Sequence, residues 1–138
     1  MTKETLKEHG AVDHFFSFAQ GKEFVATFLY YVCEKHYGVG YEGIFCSLPG
    51  DLEPWDEETP FNGILFRSEY YGDTLLEYKI FLDLVNVLAD EHLVKYPDDE
   101  TAVKKYNEYL SSGFLAKCAV GYKRDLEVYR EYIDRKNA

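Results

Sequence analysis

The fold of this chain is decided by residues 61–97, which read FNGILFRSEYYGDTLLEYKIFLDLVNVLADEHLVKYP. Two short runs rich in aromatic and aliphatic residues, 61–69 and 74–78, flank a Tyr-Gly-Asp turn sequence and therefore predict a pair of antiparallel strands. Apolar residues then recur at helical spacing and cover more than half of a helical cylinder. This pattern predicts a largely buried central helix over 78–96, which ends because Pro97 cannot continue it.

The sequence before these strands predicts two helices and one further strand. Residues 11–20 and 22–37 both place apolar side chains at helical spacing, and a glycine follows each run. Residues 41–48 can line one face of a strand with apolar side chains at every second position. A G-x-G-x-x-G pattern spans residues 38–43, but it precedes a strand whereas a nucleotide-binding motif follows one, so we interpret it as a turn.

The sequence beyond the central helix predicts two more helices. The first ends near Gly113, and the second spans 114–136. The apolar stripe of the second helix comprises Leu115, Cys118, Tyr122, Leu126, Tyr129 and Ile133. Together these elements predict one α+β domain over 1–138, in which a three-stranded antiparallel sheet packs with about five helices around the helix 78–96.

The composition is typical of a single folded domain. Hydrophobic residues make up 46% of the 138 residues and aromatic residues 17%, which is enough apolar surface for one core. The N-terminal MTKETLKEHG lacks the apolar region of a signal peptide, and no apolar run is long enough to span a membrane. We therefore expect a cytoplasmic protein without membrane contact. Cys33, Cys46 and Cys118 form no C-x-x-C pair, and we expect all three to be reduced and buried.

Charge and motif spacing argue against several kinds of chemistry. The net charge of −10 disfavours direct binding of DNA or RNA. Cys33-x-x-His36 has the spacing of two metal ligands but lacks a second pair, so we expect no metal and no other cofactor. Carboxylates precede His14 and His92, but sequence neighbours on a helix point apart, so we expect no catalytic residues. A small hydrolase that uses His36 or His92 with a carboxylate remains an alternative.

The outstanding feature is an acidic segment over residues 51–77. It holds eight acidic residues and one base, a net charge of −7, and its first part lies in a proline-rich loop. Trp55, the only tryptophan, lies among five of these acids, as an aromatic anchor with a charged rim does in a binding site. We predict a partner-binding surface formed by Asp51, Glu53, Trp55, Asp56, Glu57, Glu58, Glu69, Tyr70, Tyr71 and Asp73.

Two other interpretations of the acidic segment stay open. The acids could simply solubilise a loop whose Trp55 folds onto the core. They could instead bind Ca²⁺, although the ligand order of an EF-hand is absent.

The order of several pieces of this chain resembles that of one protein family. The pieces are a helix ending YYVCEKHYGVGYEG, a strand GIFCSLP, an acidic stretch followed by FNGILFR, and the run TLLEYKIFLDLVNVLADEHLVKYPDDE. Over roughly residues 22–110 this order resembles the CdiI-type immunity proteins of contact-dependent growth inhibition systems, in particular those against secreted ribonuclease (EndoU-like) toxins. The final helix, 114–136, is longer than this resemblance implies.

The resemblance implies a cytoplasmic, non-enzymatic protein that binds the C-terminal domain of its cognate toxin and blocks the nuclease active site. A ribonuclease needs a basic surface to hold phosphate groups, so the acidic segment would attract this surface and imitate the charge of RNA. Occlusion would then be both steric and electrostatic. The alternative is an adaptor or regulatory protein, unrelated to toxins, that binds another partner through the same surface.

Overall fold

The computed structural model describes residues 9–138, which contain five helices, one 3-10 turn and four strands. In chain order they are α1 (Gly10–Phe18), a π-helical segment (Phe24–Leu29 and Tyr31–Lys35), β1 (Val39–Tyr41), β2 (Ile44–Ser47), β3 (Ile64–Ser68), β4 (Gly72–Leu76), α2 (Tyr78–Lys95), a 3-10 turn (Pro97–Asp99), α3 (Glu100–Ser112) and α4 (Phe114–Lys136). The α+β class and the number of helices are confirmed. Most of the N-terminal stretch that lacks a signal-peptide pattern lies outside the described residues.

The sheet is antiparallel throughout, with strand order β1-β2-β3-β4. The three predicted strands correspond to β2, β3 and β4, and the prediction of only three strands was wrong. The missed strand, β1, lies in the glycine-rich stretch 38–43, of which only the last part is a turn. Gly40 weakens the strand pattern because glycine has low β propensity. The turn itself lies between Tyr41 and Ile44, which face each other, and Gly43 adopts a φ of 78° there.

The core lies between one face of the sheet and the helices. Alternate strand residues point inward and are buried: Ile44, Cys46, Ile64, Phe66 and Leu76. The ring of Phe66 lies 5.5 Å from Phe15 of α1 and 6.4 Å from Phe81 of α2, and Phe81 in turn lies 6.0 Å from Phe114 of α4. Burying each such ring contributes about 1.5–3 kcal/mol, so this aromatic cluster holds the three helices on the sheet.

The central helix α2 ends at Lys95, before the proline, as predicted. Its buried residues are Phe81, Leu84, Val85, Ala89 and His92. Ile80 is exposed, so the buried stripe is narrower than the sequence pattern indicates. Neither α2 nor any other helix within residues 9–138 combines the length and the apolar composition that crossing a membrane requires.

The contact face of α4 differs from the predicted stripe. Cys118 is buried as predicted, but Leu115 and Leu126 are exposed, and the other buried positions are Phe114, Gly121 and Asp125. The prediction of the buried face was therefore wrong at Leu115 and Leu126. The physical reason is that the middle of α4 lies against the backbone of a loop, where a small residue and a hydrogen-bond acceptor fit better than apolar side chains.

We predict that the thiols of the folded protein are unreactive at pH 8. All three cysteines are free, Cys46 and Cys118 are buried, and Cys33 is partly buried. Burial raises the pKa of Cys33 and of Cys118 to about 12 and also raises the pKa of Cys46, so the reactive thiolate is scarce. Ellman's reagent should react slowly with the native protein and with three thiols per chain in urea. A rapid reaction of Cys33 in the native protein would contradict this.

Candidate functional site

The acidic loop, residues 51–60, is attached to α4 through the residues that precede it. A Cβ atom on Gly121 would lie 2.4 Å from the carbonyl oxygen of Pro49 and 2.9 Å from the amide nitrogen of Gly50, so the helix and the chain meet backbone to backbone. Gly50 itself has a φ of 106°, a conformation that favours glycine. Both glycines are therefore needed for the close approach of the two segments.

Asp125 of α4 binds the backbone of this segment and is only 1% exposed. Its carboxylate accepts hydrogen bonds from the amides of Gly50, at 2.6 Å, and Leu52, at 3.3 Å. The neighbouring Arg124 donates from Nη1 to the carbonyl oxygens of the same two residues, at 2.7 and 2.9 Å. Burial raises the pKa of Asp125, and its two amide hydrogen bonds oppose that shift. Two adjacent side chains thus satisfy both the donors and the acceptors of the loop backbone.

A second basic residue holds the loop farther along. Arg135, near the end of α4, donates from Nη2 to the carbonyl oxygen of Pro54 at 2.9 Å. The sequence analysis did not identify Arg124, Asp125 or Arg135, because their partners are 72–81 residues away in the chain. The local sequence showed only that Arg124 and Asp125 are adjacent charged residues between two members of the predicted apolar stripe, Tyr122 and Leu126.

Asp51, a predicted site residue, is turned toward the protein. Its Oδ2 atom accepts hydrogen bonds from the amides of Gly38, at 3.1 Å, and Leu48, at 3.2 Å. Burial raises the pKa of this carboxyl group despite those two bonds. Asp51 therefore fixes the start of the acidic loop to the segment before β1, and this carboxylate has a structural task.

Arg67 of β3 joins the acidic loop to the hairpin formed by β3 and β4. Its Nη1 atom lies 2.5 Å from Oε1 of Glu58, and its Nε atom lies 4.0 Å from Oδ2 of Asp73 on the adjacent strand. The hydrogen bond to Glu58 and the nearby negative charges raise the pKa of the guanidinium group. Exposed ion pairs stabilise a fold by only about 0–1 kcal/mol, so this contact adds little to the stability of the fold. The only base of the acidic segment is thus flanked by carboxylates.

The outward part of the acidic loop carries Trp55, which is 75% exposed. The alternative in which Trp55 folds onto the core is therefore wrong. Asp56 shapes the loop, because its Oδ2 accepts a hydrogen bond from the amide of Glu53 at 2.8 Å. Glu53 and Glu57 are exposed, and neither forms an ion pair with another described residue.

The turn between β3 and β4 presents Tyr70 and Tyr71, both largely exposed. Ser68 holds the turn, because its hydroxyl oxygen accepts hydrogen bonds from the amides of both tyrosines at 3.1 Å. Their rings lie 5.6 and 5.7 Å from the ring of His14 on α1. Glu69 is exposed and lies beside Gly43 of the neighbouring turn. Of the predicted residues, Glu58 and Asp73 thus meet at Arg67, and Tyr70 and Tyr71 lie at the end of the sheet near α1.

The side chains considered for metal binding or catalysis have separate partners. Sγ of Cys33 lies 3.9 Å from the carbonyl oxygen of Tyr106, while Nε2 of His36 lies 3.2 Å from that of Pro49. His92 is buried, with its Nε2 atom 2.7 Å from Oδ2 of Asp99. Within residues 9–138, no three His, Cys, Asp or Glu side chains come together as a metal site.

Comparison with protein families gives a match over residues 7–107 to the sequence model of a family described as CDI immunity protein. Comparisons with curated proteins and with solved structures found no match. The match covers well over half of the chain and ends within α3, so α4 lies outside it. The residues of α4 that hold the acidic loop are thus not part of the matched region.

We predict that Asp125→Asn lowers the free energy of unfolding by about 2 kcal/mol. The carboxylate accepts hydrogen bonds from two backbone N–H groups, and the NH2 group of asparagine would face one of these donors and leave it without an acceptor. Urea denaturation measures this change, and hydrogen exchange at the amides of Gly50 and Leu52 should become faster. Glu127→Gln is the matched control, since it removes the same charge from an exposed position of α4. Its effect should stay within about 0.5 kcal/mol. Equal effects of the two variants would contradict the anchoring role of Asp125.

Proposed function

The chain belongs to the CDI immunity protein family, and from this membership we propose that it neutralises a ribonuclease toxin by covering the toxin's active site with the acidic segment. The family indicates an immunity protein of a contact-dependent growth inhibition system, whose partner is a toxin. The proposal adds the kind of toxin, the surface that binds it and the way in which it is inhibited.

The observation that carries the proposal is the junction at Arg67. Because Glu58 and Asp73 both contact this residue, the acidic loop and the β3–β4 hairpin form one continuous surface. The segment 51–77 that supplies both parts has a net charge of −7. An enzyme that cleaves RNA binds phosphate groups with lysine and arginine, so such a surface attracts it and competes with its substrate.

The exposed groups on this surface have distinct tasks in the proposed complex. Trp55 is the aromatic anchor, since a large exposed ring gains most from burial against a partner. Glu53, Glu57 and Glu69 steer the approach of the basic toxin, because they are exposed and have no ion-pair partner among the described residues. Asp51 holds the start of the loop through its hydrogen bonds to backbone amides, and it does not contact the toxin.

Inhibition of this kind needs no reaction by the chain itself. A protein that occupies the toxin's active site excludes RNA from it sterically, and its negative charge repels the RNA phosphates. Proteins of this family are generally non-enzymatic, and the buried His92 is already paired with Asp99 within the fold. We therefore propose a binding function without catalysis.

The test uses the C-terminal toxin domain encoded by the reading frame immediately upstream. Co-expression should restore growth of cells that make this domain, and the two proteins should co-purify. In vitro, the purified domain should cleave RNA, and one equivalent of this protein should abolish the cleavage. A toxin domain that binds but cleaves no RNA would overturn the ribonuclease proposal. Absence of binding would favour the adaptor alternative.

We predict that the triple variant Glu53→Lys, Glu57→Lys, Glu69→Lys associates with the toxin domain at least about tenfold more slowly at low salt, because charge steering is reversed. Dissociation should change less, and the association rate should lose its dependence on ionic strength. Stopped-flow measurements over a series of salt concentrations give both rates.

The matched control reverses three exposed acids on α2, on the 3-10 turn and on α3, at Asp90, Asp98 and Glu108. It changes the net charge by the same amount but leaves the acidic segment intact. Equal slowing in the two triple variants would show that only the total charge matters and would contradict the proposed location of the interface.

A further inference from the structure

The outer face of the sheet, opposite α1 and the core, carries apolar side chains that point to solvent. Gly40, Phe45, Arg67 and Asp73 face one another across the four strands and form one row of this face. Leu75 is two residues farther along β4 and belongs to the next row, opposite Leu65 of β3. Phe45 and Leu75 are each 51% exposed, whereas their chain neighbours Ile44, Cys46 and Leu76 are buried in the core.

Both side chains lie close to a glycine. A Cβ atom on Gly40 would lie 2.6 Å from Cδ1 of Phe45, and one on Gly63 would lie 3.0 Å from Cδ1 of Leu75. Each apolar group therefore lies against the backbone of its neighbour, in space that any other residue would fill.

Three carboxylates lie near Phe45 and Leu75, which together are called the apolar pair below. Glu58 and Asp73 lie at Arg67, which is directly opposite Phe45 on the neighbouring strand. Glu77 is exposed and follows Leu75 by two residues. Because the one base in the row is already matched by two acids, the rim of the apolar pair is negative. Isolated exposed apolar residues are ordinary, but two on a single sheet face with carboxylates nearby form a patterned surface.

The pattern complements the shape of lysine and arginine side chains. Their aliphatic stems cover apolar surface while their charged heads reach toward anions, and arginine also stacks on aromatic rings. We propose that Phe45 and Leu75 form the apolar centre of the toxin interface, where they receive the stems of basic side chains whose heads contact Glu58, Asp73 and Glu77. This inference rests on the proposed function and extends its surface beyond the predicted residues.

Charge selects a basic protein over other occupants of this face. A nucleic acid or an anionic membrane would place phosphate groups next to the carboxylates of the rim. A second copy of this chain carries a net charge of −10, so its approach would bring like charges together.

The experiment compares the double variant Phe45→Thr, Leu75→Thr with the wild-type protein by surface plasmon resonance. The probe is the upstream-encoded toxin domain, inactivated at its active site. Threonine keeps the β propensity of the two strands and removes most of the apolar contact. The affinity of the double variant for the toxin domain should fall at least about tenfold because dissociation is faster. The association rate and its salt dependence should be unchanged. This is the reverse of the effect expected from reversing the steering carboxylates.

Tyr37→Ala and Val120→Ala are the matched controls, since they remove exposed apolar groups outside the sheet. Their binding kinetics should equal those of the wild type. Urea denaturation of the double variant separates a lost contact from a lost fold, and a folded variant with wild-type kinetics would overturn the inference while the immunity function stands. If the wild type is a dimer and the double variant is a monomer, the face binds a second copy of this chain, and the inference is likewise overturned. If the wild type itself does not bind the toxin domain, the proposed function fails and this inference fails with it.

Discussion

The hydrogen bonds between the buried carboxylate of Asp125 and the amides of Gly50 and Leu52 determine where the acidic loop lies. A connection without secondary structure would otherwise sample many conformations, and ordering it on binding would weaken the complex. The close approach of Gly121 and the contacts of Arg124 act at the same place, so the loop is positioned before any partner arrives.

Composition alone does not separate the acids of this chain that point inward from those that point outward. Asp51 and Asp125 point inward, bind backbone amides and have a raised pKa because burial disfavours their charged form. Glu53, Glu57 and Glu69 point outward and supply the field that a basic protein would meet. The net charge of a segment therefore overstates the charge offered to a partner.

Local periodicity was sufficient to predict most of the fold. The helix 78–96 and the hairpin before it carry strong apolar patterns, and the structure has them close to the predicted positions. The strand β1 was missed because Gly40 interrupts the pattern, and the contact face of α4 was misjudged because it meets a loop backbone. For the candidate site, composition indicated Trp55 and its acids, but the inward role of Asp51 and the junction at Arg67 depend on contacts between distant parts of the chain.

The position of α4 outside the family-matched region has a practical consequence for protein engineering. The acidic loop and the C-terminal helix form one unit, because the loop takes its shape from side chains some 75 residues later. Transplanting the loop alone onto a related scaffold would leave its backbone amides without their acceptor. A chimera that preserves the conformation of the loop must exchange the loop together with α4.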